Sequence, residues 1–309
     1  MCIVFWTFQR QPSANCAYKF IFAGNRDEFF DRPTQLTSAW KKDGVKILSP
    51  MDLQPDENSR GTWVGVNQLG KVSFLTNFFE PNFKTLGKKS RGLLVIDYLL
   101  NPTSSFQALN ESDIHCLPKS QKQINSVDCK HQNSTLNPGI LQEYDGFNLV
   151  QLDLKTMKGH YITNRNEQGS YTELCESVLY GLSNSTLNCW PKVLRGKEEI
   201  QKILDKHPSD NDELANSLFQ VLELQASFKD ELPKLDELYN SIFIPMHPMQ
   251  SAKTKSEGYY GTRSSCVMLV DKNNVLHCYE KFHSPSYQNI LPKFQASESI
   301  KKFEMQLDI

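Results

Sequence analysis

The chain has 309 residues, enough for one large domain with a substantial core. Its 34 basic and 35 acidic residues leave a net charge of -1, so charge gives no reason to expect nucleic acid or an anionic membrane as a partner. The longest apolar runs, such as residues 2–6, fall far short of the roughly 18 residues that a transmembrane helix needs.

The N-terminal stretch is apolar and rich in β-formers after its second residue, which predicts a buried strand. Met1 precedes the small residue Cys2, the context in which aminopeptidases remove methionine most readily. Its removal would leave Cys2 with both a thiol and a free α-amine, and an amine with a pKa of about 8 can accept the thiol proton. Cys2 is therefore a candidate N-terminal nucleophile; the alternative is a small apolar side chain without chemistry.

Four polar residues follow the next predicted strand, residues 18–23, and its terminal glycine. The polar turn at residues 9–15 makes the two strands antiparallel neighbours, so the four residues should lie at the same end of the sheet as Cys2. An arginine beside a thiol lowers the thiol pKa, and an aspartate beside an α-amine orients the amine. The alternative is a solvated turn with an internal ion pair. The four residues are Asn25, Arg26, Asp27 and Glu28.

After a predicted loop at residues 49–60, two glycines mark the next hairpin, which pairs residues 61–67 with 71–77. Gly61 and Gly65 indicate either turn geometry or the close approach of another backbone or a ligand. A helix is predicted over residues 90–99. Residues 103–141 are polar and weakly patterned, which indicates a surface excursion.

In the second half, predicted strands are followed by helices and then by strands again, an order that suggests sheets covered by helices. The amides and hydroxyls of residues 181–187, after a short strand, indicate either a helix cap or an oxyanion site, with Asn184 as the candidate donor. The tail after residue 282 is polar, with one short helix predicted. The other predicted strands are 145–153, 158–164, 176–180, 266–271 and 275–282, and the other predicted helices are 190–206 and 211–226.

The eight cysteines are scattered without a C-x-x-C pair or a zinc-ligand spacing. The N-terminus also lacks the basic segment and cleavage site of a secretory signal. We therefore expect reduced thiols in an intracellular protein.

Six motifs occur in an order that resembles the NRDE family, also called Transport and Golgi organisation protein two, which has haem-responsive relatives in nematodes. More remotely, the layout resembles the N-terminal-nucleophile hydrolases of the choloylglycine hydrolase type. The resemblance implies an α+β fold, an αββα sandwich of two mainly antiparallel sheets covered by helices. We expect a single domain over residues 1–309, with an excursion near 103–141 and a polar tail after 282. The motifs are residues 25–28, 61–66, 75–77, 145–148, 181–185 and 260–265.

The resemblance also implies a site at the mouth of a pocket. Its implied catalytic residues are Cys2, Arg26, Asp27, Asn77, Asn184 and Arg263, with Arg263 either structural or facing an anion. Its implied cofactor-binding residues are Asn25, Arg26, Asp27, Glu28 and Arg263, with Met246 and His247 as weaker candidates. No metal site is predicted from the residues, and the axial ligand of a bound haem stays open.

The function that the resemblance implies is an intracellular haem chaperone. It would bind haem reversibly as cargo, without an obligatory catalytic cofactor, and move it out of sites of synthesis or storage. The expected location is the cytoplasm, with mitochondrial, Golgi or endoplasmic reticulum association and transient membrane contact, and with a link to lipid homeostasis. The alternative is an N-terminal cysteine amidase or thioesterase that acts on an amphipathic, acyl-coenzyme A-like compound.

Overall fold

Two antiparallel sheets form the centre of the molecule. The computed structural model describes residues 2–11, 17–80, 88–101, 134–135, 143–165, 170–226, 235–250, 257–286 and 293–309. The predicted excursion at residues 103–141 lies outside this part of the chain, apart from residues 134–135.

The strands in chain order are β1 (Ile3–Phe8), β2 (Tyr18–Phe29), β3 (Thr34–Lys42), β4 (Val45–Asp52), β5 (Val64–Asn67), β6 (Lys71–Asn77), β7 (Ser134–Thr135), β8 (Phe147–Asp153), β9 (Lys158–Thr163), β10 (Ser170–Leu174), β11 (Tyr180–Leu182), β12 (His247–Gln250), β13 (Glu257–Asp271), β14 (Val275–Ser286) and β15 (Lys293–Gln306). The first sheet has the order β11-β1-β2-β13-β14-β15, with β12 paired to β13. The second sheet has the order β3-β4-β5-β6-β8-β9-β10-β7.

Helices cover the outer face of each sheet. The α-helices in the described residues are α1 (Gly92–Leu100), α2 (Pro191–Leu204), α3 (Asn211–Leu222) and the single turn α4 (Leu235–Leu238). A search of these residues finds no helix that is long and apolar enough to cross a bilayer.

Three apolar clusters hold the layers together. The central cluster lies between the sheets and includes Trp6 and Phe22 from the first and Phe74 from the second. An outer cluster joins Ile3, Phe5 and other residues of the first sheet to α2 and α3. A third packs α1 against the second sheet. The layers are therefore helix, sheet, sheet, helix, which confirms the predicted αββα arrangement.

The predicted end of β2 is wrong. The four polar residues at 25–28 do not follow β2 but lie inside it, because β13 pairs with β2 as far as Phe29. The predicted helix in the tail is also wrong, because residues 293–306 form β15 along β14. Met305 and Leu307 are buried while the residues that flank them are more exposed, which is the period of a strand.

The prediction of reduced thiols is wrong at Cys175. Cys175 is disulfide-bonded, whereas Cys2, Cys189, Cys266 and Cys278 are free thiols. The sequence could not show this, because disulfide pairing depends on which Cys side chains the fold brings together.

The close backbone approach predicted at Gly61 involves the first residue of α1. A Cβ on Gly61 would collide with the main chain of Gly92, and the Thr62 amide donates to the Gly92 carbonyl at 3.3 Å. A Cβ on Gly65 would lie 2.7 Å from Cδ1 of Leu99, at the end of a flexible side chain. A side chain at Gly61 would therefore meet fixed main chain, whereas a side chain at Gly65 would meet a movable side chain.

We expect Gly61→Ala to lower the free energy of unfolding by about 2 kcal/mol or more, because a main-chain neighbour cannot rotate away. Gly65→Ala is the matched control, and its loss should be clearly smaller because Leu99 can change rotamer. Urea unfolding of both variants measures the difference. Equal losses would show that the contact between Gly61 and Gly92 does not limit the packing of α1.

Candidate active site

Cys2 lies at the end of the first sheet, next to the four polar residues of β2. Ile3 pairs with Asn25 across the two strands, so Cys2 comes level with Arg26. The Cys2 thiol Sγ lies 4.0 Å from the main-chain oxygen of Asp27. The Cys2 carbonyl accepts a hydrogen bond of 2.7 Å from the Ser183 hydroxyl. The predicted proximity of Cys2 and residues 25–28 is present.

Arg26 lies on the face of β2 that looks toward the second sheet. Its guanidinium carbon stacks 4.1 Å from the ring centre of Trp63, and its Nη1 donates to the Thr34 hydroxyl at 3.3 Å. Burial lowers the pKa of Arg26, while Glu28 and Cys2 favour its charged form. Burial raises the pKa of the Cys2 thiol, and Arg26 acts in the opposite direction.

Asp27 lies on the opposite face of β2, because side chains alternate along a strand. Its Oδ1 accepts a hydrogen bond of 2.7 Å from the Thr262 hydroxyl. Burial raises the pKa of Asp27, against the opposing effects of the amino terminus, Lys192 and Thr262. Asp27 is thus a buried carboxyl whose main-chain oxygen faces the thiol.

Asn25 anchors β2 to the helical layer. Its Nδ2 donates to the carbonyls of Leu222 at 2.8 Å and Ile242 at 3.1 Å. Its Oδ1 accepts from the Ser265 hydroxyl at 2.7 Å, and that hydroxyl lies 2.9 Å from Nε2 of His283. Both polar ends of the Asn25 amide are therefore occupied by the protein.

Arg263 and Glu28 stabilise the segment that follows β2. Arg263 lies at a register shift in β13 and donates through Nη1 to the carbonyls of Phe29 at 3.1 Å and Arg32 at 2.6 Å. Burial lowers the pKa of Arg263 to about 10. A Glu28 carboxylate oxygen lies 3.6 Å from Nε of Arg32. Of the two roles left open for Arg263, this geometry favours the structural one.

Asn184 and Asn77 meet where the two sheets come together. The Asn184 amide donates to the Asn77 carbonyl at 2.5 Å, and the amide of Phe79 donates to the Asn184 carbonyl at 2.7 Å. The Asn77 side chain is exposed at the end of β6. Since α2 begins only at Pro191, Asn184 does not cap it. Both amides lie at the edge that carries Cys2.

His247 lies one side chain away from this edge. Its Nδ1 is 2.9 Å from the Pro245 carbonyl, which assigns the proton to Nδ1, and Nε2 has no hydrogen-bond partner. Its ring centre is 6.0 Å from that of Tyr260, whose hydroxyl donates to the Asp27 carbonyl at 3.2 Å. A search of the described residues finds no cluster of His, Cys, Asp and Glu side chains suited to a metal ion. The neighbouring Met246 does not complete a metal site with His247.

A small cavity lies beside Cys2, between the sheets. Its volume is about 10 Å³, enough for about one water molecule. Val4, Phe22 and Leu75 supply apolar walls, and Arg26 and Glu280 supply charged groups. Sequence reasoning assigned no site role to five residues that the structure places here: Trp63, Ser183, Lys192, Thr262 and Glu280. Trp63, Ser183 and Thr262 lie within the motifs at 61–66, 181–185 and 260–265, whereas Lys192 and Glu280 stand in no pattern that distinguishes them from core or surface residues.

Comparison with known proteins gives one family. The family model described as Transport and Golgi organisation 2 matches residues 1–285. The chain is 30% identical over 274 residues to the human Transport and Golgi organization protein 2 homolog, covering 88% of this chain and 89% of that protein. It is 27% identical over 298 residues to Transport and Golgi organization protein 2 of Drosophila melanogaster, covering 91% and 92%.

Solved structures resemble the chain more distantly. A mutant conjugated bile acid hydrolase from Clostridium perfringens aligns with a TM-score of 0.40 at 13% identity, covering 100% of this chain and 99% of that one. A Caenorhabditis elegans ortholog of N-acylethanolamine-hydrolyzing acid amidase aligns with a TM-score of 0.45 at 9% identity, covering 87% and 92%. At these scores, the layered arrangement rests on the strand pairing of this chain itself.

We expect His283 to make stability fall in acid. Burial lowers its pKa to about 4, against about 6.5 when unfolded. The unfolded chain therefore binds the proton first, and stability is lost as pH falls from about 6.5 toward 4, by up to about 3 kcal/mol.

His283→Gln keeps an N–H donor but does not titrate, so its stability should depend less on pH in this window. Urea unfolding of both proteins at several pH values measures the difference between them. Two parallel profiles would contradict the assignment of this acid sensitivity to His283.

Proposed function

This chain belongs to the Transport and Golgi organisation 2 family, and we propose that it is an N-terminal cysteine hydrolase of an amphipathic acyl compound once Met1 is removed. The observation that carries the proposal is the position of the Cys2 thiol at the end of the first sheet, beside Arg26 on one face of β2 and Asp27 on the other. The names of its relatives connect the family with Golgi organisation.

The proposed reaction begins with proton transfer from the Cys2 thiol to its own α-amine. The thiolate attacks the carbonyl carbon of a thioester or amide, a sulfur–carbon bond forms, and the bond to the leaving thiol or amine breaks as that group takes the proton. Water then hydrolyses the acyl-cysteine and restores the thiol. Asp27 orients the amine, Arg26 favours the thiolate, and the amides of Asn77 and Asn184 are the candidate donors to the carbonyl oxygen.

The shape of the site limits where a ligand lies. A cavity of about 10 Å³ admits about one water molecule and no acyl chain. The acyl chain must therefore lie outside this cavity, at the end of the first sheet that carries Cys2, where the half-buried Trp63 offers an apolar surface. Arg26 is buried, so it acts on the thiol rather than on an anionic group of the ligand. The ligand class, an amphipathic acyl compound such as an acyl-coenzyme A, is the one that the sequence resemblance implies.

Reversible haem transfer, which the sequence resemblance favours, is the second candidate. The observation for it is the imidazole of His247, whose Nε2 has no hydrogen-bond partner and which lies beside Tyr260, next to the Cys2 site. A neutral imidazole nitrogen is a common haem ligand. Haem is far larger than the cavity, so as cargo it would also lie outside it, and the buried Nε2 of His247 would have to become exposed to bind the iron.

For the hydrolase, we expect Cys2→Ala to lower turnover of a long-chain acyl-coenzyme A by about three powers of ten or more, because the nucleophile is lost. Ligand binding should persist. The control is Cys189→Ala, which removes an exposed free thiol and should leave turnover unchanged. Release of free coenzyme A measures the rate, and a parallel assay uses the matched acyl amide.

Intact mass of the purified protein accompanies this assay. Retention of Met1 in the mature protein removes the free α-amine and the proposed mechanism with it. An absence of wild-type turnover on both substrates, with Met1 removed, excludes the hydrolase and leaves the haem proposal.

For haem transfer, we expect saturable binding seen as a shift of the Soret band, with His247→Ala weakening the affinity at least about tenfold and Cys2→Ala retaining most of it. His207→Ala, at an exposed position, is the control for nonspecific binding. A shift that is not saturable, or equal shifts in all variants, would argue against a specific haem site.

A further inference from the structure

Lys192 is a fully buried lysine at the start of α2. Its side chain is 0% exposed, and its ammonium has no hydrogen-bond partner. The ammonium lies 5.5 Å from the ring centre of Trp190, and its main-chain amide donates to the Tyr239 carbonyl at 3.2 Å. A lysine side chain rarely gives up water without a compensating charge, so the fold must provide one.

The charges that attract Lys192 are in the Cys2 site. Asp27 is the stronger and Cys2 the weaker of the two, while burial lowers the pKa of Lys192. Asp27 is 4% exposed and lies on the helix-facing side of β2, and α2 packs on the same side of the sheet against the neighbouring strands β1 and β11. The buried cation and the buried carboxyl therefore each affect the pKa of the other, without a direct hydrogen bond from the ammonium.

We propose that Lys192 is the buried counter-ion of Asp27 and through it a positioning residue for Cys2. The pair keeps the carboxylate ionised, so that it can hold an α-amine at residue 2. The lysine charge also disfavours protonation of that amine and favours the thiolate. The consequence for Cys2 rests on the proposed hydrolase function, whereas the ion pair does not.

Other charged groups also face Asp27 and must be considered. Cys2 and the amino terminus approach from β1, and the pKa of His247, from β12, responds to Asp27. From β13, Thr262 donates to the carboxylate without titrating. Of the side chains described, Lys192 is the buried cation whose charge acts on this carboxyl from the helical layer.

The test is Lys192→Met, which keeps the length and apolar stem but removes the charge. Asp27 is titrated through the carbon-13 signal of its carboxyl, assigned by its loss in Asp27→Asn. The midpoint for Asp27 should rise by at least about one pH unit, a tenfold change in proton affinity. The alkylation of Cys2 by iodoacetamide should also move to higher pH, because the thiolate loses a nearby cation while Asp27 is ionised.

Lys197→Met is the matched control. Lys197 lies on the same helix, is half-buried and donates to the Asn188 side chain at 3.0 Å. Its removal should leave both titrations unchanged. Unchanged titrations in Lys192→Met, or shifts of equal size in the two variants, would overturn the proposal.

A folding test covers the case in which Lys192→Met is too unstable to titrate. Burial already raises the folded pKa of Asp27 above the unfolded value, and loss of Lys192 raises it further, so Lys192→Met should lose more stability than the wild type as pH rises from about 4. The double variant Asp27→Asn/Lys192→Met should melt at a higher temperature than Lys192→Met at pH 7. If the loss of stability in the double variant equals the sum of the losses in Asp27→Asn and Lys192→Met, the two side chains do not interact and the proposal is overturned.

These measurements use no substrate, so they separate the two proposals. Shifted titrations in a protein without hydrolase activity would keep the ion pair and remove the hydrolase. Unshifted titrations in a protein whose hydrolysis depends on Cys2 would remove the Lys192–Asp27 pair and keep the hydrolase.

Discussion

The pairing of β2 with β1 on one side and β13 on the other is the constraint on which the site depends. Because consecutive side chains of a strand point to opposite faces, Arg26 enters the space between the sheets and Asp27 enters the layer beneath the helices. Cys2 lies at the end of the neighbouring strand β1, level with Arg26 and next to Asp27, which lie on the two faces of β2. A shift of the register by one residue would exchange the two charges.

The surrounding polar groups are held mainly by the protein itself. Asn25 is bound through both ends of its amide, and Arg263 is bound by main-chain carbonyls. Buried polar groups without partners are costly, so these contacts restrict the side chains to one arrangement. Much of the conspicuous polar sequence therefore builds a rigid frame, and fewer residues are left to contact a ligand.

The frame also explains why acyl and haem ligands are competing proposals for one surface. The interior beside Cys2 is filled by side chains such as Phe22 and Leu75, leaving about 10 Å³. An acyl or haem ligand must then bind outside this cavity, near Trp63 at the end of the sheets. The two proposals differ in chemistry: turnover depends on the Cys2 nucleophile, and haem binding depends on the imidazole of His247, whose buried Nε2 must first become exposed.

The sequence by itself determined the layered fold class and the proximity of Cys2 to residues 25–28. The proximity follows from the apolar strand pattern and from a short polar turn between two strands, and the layered fold is what the resemblance of the six motifs to a known family implies. The strand β15 escaped prediction because its pairing with β14 overrides a weak local pattern.

Only the tertiary structure decided which polar residues serve the frame and which face the thiol. Arg263 and Arg26 are the same residue type and each lies in a polar motif, so the sequence does not distinguish them. In the structure, Arg263 binds main-chain carbonyls and Arg26 stacks on Trp63 beside Cys2. Lys192, 190 residues from Cys2 along the chain, carried no signal at all. Burial and partner identity depend on contacts between distant segments, and local sequence does not encode them.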